Sequence, residues 1–333
     1  MKVFYQLPDE TKERIFRQTG TERGIPAFAV EKDWWVVQTL RIIFSMDMAK
    51  HLVFKGGTSL SKAWNLISRF SEDIDIALDK AALGIEDVRT KKQVKTLRNK
   101  SKKFIKEEFL PELKEEFTKA GFDEVEIKIP EGLENDPLSI EIYYPYVTQY
   151  SKYINPRILV EIGSRSLKEP FVERPISTYV SEQFPEQDFA DEPINIAVTS
   201  PEKTFLEKIF LLHEEFQKEE VRTNRLTRHF YDIEKIMDTD YAEAALSDPK
   251  LYQTIVQHRK LLFSINSVDY NLHQPQTINL IPPDKLLKDW ENDYKKLNES
   301  MVYGDILPWE ELLGRIRELM GRINKLEFRI EIE

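Results

Sequence analysis

The sequence feature that most constrains the fold is a compact strand–turn–helix–strand pattern between residues 52 and 78. The apolar run Leu52-Val53-Phe54 leads into Lys55-Gly56-Gly57-Thr58-Ser59, where a glycine pair and hydroxyl residues precede a predicted helix over residues 57–67. The segment Asp73-Ile74-Asp75-Ile76 then alternates polar and apolar residues with the period of a β-strand. One helix and a turn are enough to bring the glycines and the aspartates to the same end of a sheet.

The glycine pair is a candidate phosphate-binding turn. Backbone N–H groups at a helix start bind phosphate, and glycine lets a ligand approach the backbone closely. We therefore predict that Gly56, Gly57, Thr58 and Ser59 hold phosphates. The segment is not a Walker loop, because Lys55 precedes the glycines and no Gly-Lys-Ser/Thr sequence follows them. Taken alone, a glycine pair is more often only a tight turn between a strand and a helix.

The two aspartates are a candidate metal site. Alternation with period two places Asp73 and Asp75 on one face of the strand and the isoleucines on the other. Adjacent carboxylates repel each other unless a cation lies between them, and Mg²⁺ prefers such oxygen ligands together with substrate phosphates. Taken alone, an Asp-x-Asp pair is more often solvated surface charge. A phosphate-binding turn followed by a carboxylate pair, however, predicts phosphoryl or nucleotidyl transfer.

Four motifs, in order along the chain, carry a family resemblance. They are residues 30–35 (VEKDWW), residues 54–62 (FKGGTSLSK) continued by residues 69–75 (RFSEDID), residues 201–208 (PEKTFLEK) and residues 228–233 (RHFYDI). Together they resemble the AbiEii/AbiGii toxin branch of the DNA polymerase β-like nucleotidyltransferase superfamily. The resemblance spans roughly residues 25–240.

The resemblance implies a two-part α/β (α+β) protein. Residues 1–199 would form a polymerase β-like nucleotidyltransferase core with a small mixed sheet and N-terminal helices. Residues 200–333 would form a mostly helical domain that completes the active-site cleft. The superfamily has a third acidic residue on a neighbouring strand, and we assign it to Glu161 in the predicted strand over residues 157–162, with Glu141 as the alternative. Asp73, Asp75 and Glu161 would then bind one or two Mg²⁺ ions.

Further candidates for the triphosphate site are less determined by the sequence. Lys62 lies one helical turn after Thr58, so its ammonium group would reach the same phosphates, or it is a surface lysine. Arg69 and Ser71 would either hold the loop before the aspartates or contact the triphosphate.

Lys208 and Asp232 are the candidates in the second half of the chain. Ser200-Pro201-Glu202 predicts a helix start, with a hydroxyl N-cap followed by proline at the first position. Lys208 has apolar neighbours on the predicted helix over residues 202–216, so its stem either extends to the surface or turns its amine toward phosphates, as the family motif implies. Asp232 would orient Lys208 or the acceptor; alternatively it forms a structural ion pair with Arg228, four residues earlier.

Composition limits the class of partner. The formal net charge of −10 argues against a broad nucleic-acid-binding surface, so any RNA site must be local. Basic residues concentrate between Arg89 and Lys106 and at Arg222, Arg225 and Arg228, although such runs are more often solvated helix faces. The chain lacks cysteine, a membrane-spanning run and a signal-peptide core, which fits a cytoplasmic protein.

The predicted reaction is transfer of a nucleoside monophosphate from an NTP to an acceptor hydroxyl, with release of pyrophosphate. The resemblance further implies the toxin of a bacterial toxin–antitoxin or abortive-infection pair, with the tRNA 3′ end as acceptor and an AbiEi-like antitoxin as partner. The alternatives are nucleotidylation of a small molecule or a protein, and a non-catalytic nucleotide-binding or partner-binding module. Retention of Asp73, Asp75 and Glu161 argues against the last of these.

Overall fold

The computed structural model describes residues 2–70, 73–132, 137–150 and 155–332. The chain forms two compact units. The first, here called the sheet unit, comprises the chain up to Ala63 together with residues 70–88 and 92–199. The second, the helical unit, comprises residues 64–69, residues 89–91 and the chain from Ser200 onward.

The described part of the sheet unit contains one seven-stranded mixed sheet, with strand order β3-β4-β5-β2-β1-β7-β6. The β1/β7 and β2/β5 pairs are parallel, and the other neighbours are antiparallel. The strands are β1 (Leu52–Lys55), β2 (Asp73–Leu78), β3 (Glu126–Lys128), β4 (Leu138–Tyr143), β5 (Arg157–Gly163), β6 (Phe171–Ile176) and β7 (Ile194–Thr199).

Helices surround this sheet in the chain order α1 (Lys2–Tyr5), α2 (Asp9–Arg23), α3 (Ala27–Ile43), α4 (Gly56–Lys62), α5 (Lys91–Phe104), α6 (Leu110–Lys119) and α7 (Tyr179–Gln183). Helix α3 is buried on nearly all sides and contacts α2, α6, α7 and β5. A π-helical turn over Ile105–Phe109 joins α5 to α6. Pro111, which cannot donate a backbone hydrogen bond, lies in α6 directly after this π-helical turn.

The core face of the sheet follows from residue alternation. In β2, Ile74 and Ile76 are fully buried, whereas Asp73 and Asp75 are half-buried on the opposite face. Strand β5 repeats the pattern, with Ile158, Val160 and Ile162 buried and Leu159 and Glu161 on the half-buried face. The face that carries the acidic residues is therefore fixed by burial of the apolar face.

The described part of the helical unit contains helices α8 (Pro201–Glu215), α9 (Thr227–Ile236), α10 (Asp240–Leu246), α11 (Pro249–Leu262), α12 (Leu287–Ser300) and α13 (Trp309–Asn324). Helix α8 begins at Pro201, where the sequence predicts a start, although the Ser200 hydroxyl makes no capping hydrogen bond. The short segment 64–69 belongs to this unit: the Ser68 carbonyl accepts hydrogen bonds from the Tyr303 and Gly304 amides at 3.0 and 3.1 Å.

The predicted fold class is confirmed, since a mixed sheet with flanking helices precedes a mostly helical part. In the ranges that the structure describes, no helix is long and apolar enough to span a membrane.

Candidate active site

The acidic residues of β2 and β5 lie on one face of the sheet. Asp75 is directly paired with Glu161 in the parallel β2/β5 register, and Asp73 lies two residues before Asp75 on the same face. Ser139 of β4 is paired with Glu161, and its hydroxyl donates to Glu161 Oε1 at 3.5 Å. Three carboxylates are thus placed side by side on two adjacent strands.

Glu141, the alternative third acid, is occupied by neighbouring side chains. It forms an ion pair with Arg157 and accepts a 2.9 Å hydrogen bond from the Tyr143 hydroxyl. Glu161 also has the register position directly opposite Asp75, which Glu141 lacks. The register favours Glu161 over Glu141 as the third acidic residue beside Asp73 and Asp75.

The glycine turn packs directly against the Asp75 carboxylate. Gly56 has φ +81°, and a Cβ atom built there would lie 2.0 Å from Asp75 Oδ2. The Thr58 hydroxyl donates to the Asp73 carbonyl oxygen at 2.5 Å, and the Ser59 hydroxyl donates to the Gly56 carbonyl at 2.8 Å. The hydroxyl groups of Thr58 and Ser59, both predicted to bind phosphate, therefore donate their hydrogens to backbone carbonyls of the protein. The backbone amides of the turn remain as donors for a ligand.

Lys62, at the end of α4, is buried rather than on the surface. Its Nζ lies 2.6 Å from Asp33 Oδ1 of α3, with the two side chains 4% and 5% exposed. The same ammonium lies 3.8 Å from the centre of the Tyr179 ring. Lys62 is thus part of an internal contact between α3, α4 and the start of α7.

In the helical unit, Asp232 of α9 is fully buried between two cations. Its carboxylate accepts from Arg69 Nε at 2.6 Å and Nη2 at 2.7 Å, and Lys208 Nζ lies 2.8 Å from its Oδ2. Lys208 Nζ also lies 3.5 Å from His229 Nδ1. The chain thus brings Arg69, Lys208 and Asp232 into one buried cluster, here called the Asp232 cluster.

Burial and mutual charge set the protonation states of this cluster. Burial by itself raises the pKa of Asp232, but the charges and hydrogen bonds of Arg69 and Lys208 lower it below the ordinary value. Burial lowers the pKa of Lys208, with Asp232 opposing the shift and Arg69 adding to it. Burial and the neighbouring Lys208 lower the pKa of His229 well below its usual range, so the imidazole is neutral.

Three comparisons with known proteins bear on this geometry. A profile of the family described as "Nucleotidyl transferase AbiEii toxin, Type IV TA system" matches residues 41–315, most of the chain. The chain belongs to the AbiEii nucleotidyltransferase toxin family. It is accordingly a nucleotidyltransferase of a toxin family that is part of type IV toxin–antitoxin systems.

A solved structure shows the same fold at low sequence identity. MenT4, a nucleotidyltransferase toxin from Mycobacterium tuberculosis H37Rv, is 14% identical, with a TM-score of 0.57, and the match covers 95% of this chain and 90% of MenT4. JHP933 from Helicobacter pylori is 17% identical, with a TM-score of 0.42 and coverage of 86% and 90%. No curated protein sequence matches the chain.

The acidic face fits a divalent cation in the type of its residues and in their positions on adjacent strands, but not in the placement of the side chains. Three carboxylates on one face of adjacent strands are the oxygen donors that Mg²⁺ takes in proteins. As placed, no three acidic, histidine or cysteine side chains within the described ranges converge closely enough to share one ion. The AbiEii chain therefore supplies carboxylate oxygens on one face of the sheet, and these do not form a converged ion site among the described residues.

Two aspects of the site were not assigned from the sequence. Asp33, in the VEKDWW motif, contacts Lys62, and His229 contacts Lys208. The signal for Asp33 was three consecutive charged residues within an otherwise apolar helix, but their partners are far away in sequence. Ser71, a predicted phosphate-site residue, lies outside the residues that the structure describes.

Proposed function

We propose that this AbiEii-family protein uses Mg²⁺ to transfer a nucleoside monophosphate from an NTP to an acceptor hydroxyl and releases pyrophosphate. The observation that carries the proposal is the direct packing of the glycine turn on Asp75, which is itself paired with Glu161. A triphosphate bound by the turn would lie beside the carboxylates, where its reacting phosphate is needed.

The glycine turn and the three carboxylates of the sheet unit have different roles in this proposal. The backbone of Gly56, Gly57, Thr58 and Ser59 would bind the β- and γ-phosphates. Asp73, Asp75 and Glu161 would hold Mg²⁺, which would polarise the α-phosphate and favour ionisation of the attacking hydroxyl.

The Asp232 cluster supports a role for the helical unit in the same reaction. Lys208, held by Asp232, would neutralise negative charge on the triphosphate together with Arg69, which precedes Asp73 by four residues in the chain. A carboxylate that orients a buried amine fixes the direction of its N–H groups. Orientation of Lys208 is one of the two catalytic roles predicted for Asp232, the other is orientation of the acceptor, and both stay predictions.

We propose the tRNA 3′ end as the acceptor and an AbiEi-like antitoxin as the partner. Support for an RNA acceptor comes from α5, which has seven basic and no acidic residues on a chain of net charge −10. Its buried stripe is Val94, Leu97 and Ser101, while Lys92, Lys95 and Lys103 are exposed. A small-molecule or protein hydroxyl is the alternative acceptor, because both need only the acidic face and the glycine turn.

The test is incubation of the purified protein with Mg²⁺, each α-labelled NTP in turn and total tRNA, beside the Asp73→Asn variant. We expect label on tRNA with the wild type alone. Label that stays off RNA while Mg²⁺-dependent NTP binding persists would move the acceptor to proteins or small molecules. Absence of NTP binding would leave a non-catalytic module.

The RNA surface has its own test. Replacing Lys92, Lys95 and Lys103 with glutamine should weaken the salt dependence of tRNA binding. The slope of log K against log salt concentration should become less negative by about 0.7 for each phosphate contact that is lost. The control replaces Lys114 and Lys119 of α6 with glutamine, because these two lysines lie among glutamates on their helix. Equal slopes for both variants would contradict the assignment of α5.

A further inference from the structure

We infer that Asp33 is a positioning residue of the glycine turn: through its ion pair with Lys62 it fixes helix α4 and thereby the backbone that binds the nucleotide. The inference rests on the proposed function for its link to the nucleotide. It also gives Lys62 a different role from the direct phosphate contact predicted from the sequence.

Three consecutive charged residues of α3 are buried. Glu31, Lys32 and Asp33 are 2%, 1% and 5% exposed. Successive residues of a helix point about 100° apart, so three in a row meet three different parts of the protein. Burying charge without a partner is strongly unfavourable, so each side chain must serve a specific contact.

The contacts confirm that each side chain reaches a different segment. Glu31 accepts from the amides of Val147 and Thr148, at 2.7 and 3.1 Å, in the loop after β4. Lys32 Nζ donates to the carbonyl of Asn155 at 3.2 Å, just before β5. Asp33 contacts α4 through Lys62.

Asp33 contacts two elements at once. Its Oδ1 lies 2.6 Å from Lys62 Nζ, and its Oδ2 accepts from the Tyr179 amide at the start of α7 at 2.8 Å. The contact with Lys62 is an ion pair whose geometry is not that of a directed hydrogen bond. Removing one charge of such a buried pair leaves the other uncompensated.

Helix α4 depends on these contacts for its position. It has seven residues, and a helix that short is not stable by itself in water. At the start of α4, Gly56 packs on Asp75, and the Thr58 hydroxyl donates to the Asp73 carbonyl.

At the end of α4, Lys62 forms its ion pair with Asp33, and the Ala63 carbonyl accepts a hydrogen bond from Arg174 Nε at 3.2 Å. A displacement at the Asp33 end is therefore transmitted to the glycine turn.

The experiment compares Asp33→Asn, Lys62→Met and the double variant with a matched control, Glu31→Gln. Glu31 is an equally buried carboxylate two residues earlier on α3, but its partners lie in the loop after β4. Binding of ATP, CTP, GTP and UTP, each with Mg²⁺, is measured by equilibrium dialysis, and hydrogen exchange is followed at residues 56–63.

We expect Asp33→Asn and Lys62→Met each to weaken NTP binding on the order of tenfold to a hundredfold, since small displacements of binding groups have effects of this size. The double variant should be no weaker than either single variant, because the two residues act as one unit. Glu31→Gln should lose thermal stability and keep its NTP affinity. Exchange at residues 56–63 should rise in Asp33→Asn and not in Glu31→Gln.

Two results would overturn the inference: equal NTP affinity of Asp33→Asn and Glu31→Gln, or a full additional loss on adding Lys62→Met to Asp33→Asn. The second result would make Lys62 a direct phosphate ligand. If the wild type binds no NTP, the proposed function fails, and the anchoring of α4 is then decided by hydrogen exchange, where unchanged rates in Asp33→Asn overturn it.

Discussion

The acidic face of the sheet unit and the Asp232 cluster of the helical unit solve opposite electrostatic problems. On the sheet, Asp75 and Glu161 are directly opposed like charges on a half-buried face. In the helical unit, one fully buried carboxylate lies between the cations Arg69 and Lys208. The first arrangement places like charges opposite each other, whereas the second places one carboxylate between two cations of the chain.

This difference predicts that the two regions respond differently to loss of a carboxylate. A carboxylate in the first region serves a ligand more than it serves folding. The carboxylate in the second region must serve folding, whatever its role in catalysis. The following predictions test this contrast.

The largest effect is expected for Asp75→Asn. Because Asp75 is proposed to hold Mg²⁺, its loss should reduce nucleotidyl transfer on the order of ten thousandfold, which is several kcal/mol of transition-state stabilisation. Stability should be unchanged or higher, because like charges directly opposite each other on a sheet are destabilising. Transfer kinetics and urea unfolding measure the two effects. Glu141→Gln, on the same face but paired with Arg157, is the control, and equal activity of the two variants would contradict the assignment.

Asp232→Asn should show the opposite balance. Loss of the carboxylate leaves two buried cations without a counter-charge, and breaking a buried pair in this way typically destabilises a protein by about 3–5 kcal/mol. Asp238→Asn is the control in the same unit, since Asp238 is 57% exposed where it pairs with Arg322 and should change stability by less than about 1 kcal/mol. Similar unfolding midpoints in urea for the two variants would contradict the contrast between the two regions.

Gly56→Ala should affect the acidic face through shape alone. The new methyl group would meet Asp75 Oδ2 in a backbone conformation that alanine rarely adopts. We expect transfer to fall on the order of a hundredfold. Gly24→Ala is the control: it has φ +67° and open space around the added atom, so it shares the backbone strain without the contact. If both variants lose activity equally, strain rather than the Asp75 contact is responsible.

A smaller effect concerns pH and the helical unit. Burial, with a contribution from His273, lowers the pKa of His213 to about 4. Between pH 6.5 and 4 the unfolded state then binds more protons than the folded state, so stability decreases as the pH falls, on the order of 2–3 kcal/mol from this residue. His229 has a lowered pKa as well and acts in the same direction.

The measurement is the unfolding free energy in urea as a function of pH, for the wild type and His213→Gln. The variant should have a shallower slope between pH 6.5 and 4, because His213, one of the two histidines with a lowered pKa named above, no longer titrates. Parallel curves would show that His213 is accessible to protons in the folded state.

Much of the sheet unit is predictable because its signals are local. The strand–turn–helix–strand order and the shared face of Asp73 and Asp75 follow from glycine placement and from an alternation of period two, which any β-strand imposes. The start of α8 at Pro201 follows in the same way from the position of a proline. These features depend on neighbours a few residues apart.

Only the tertiary structure decided the contacts between residues that are far apart in the sequence. The pairing of Asp75 with Glu161 depends on strand register, and the contact of Arg69 with Asp232 spans 163 positions of the chain. Lys62 could equally have been a surface lysine until α3 placed Asp33 beside it. The sequence by itself determined which residues are suited to bind phosphate and metal, because this depends on residue type and on the local alternation of polar and apolar residues. Their partners were decided by packing, because burial of the apolar faces brings together segments that no local pattern relates.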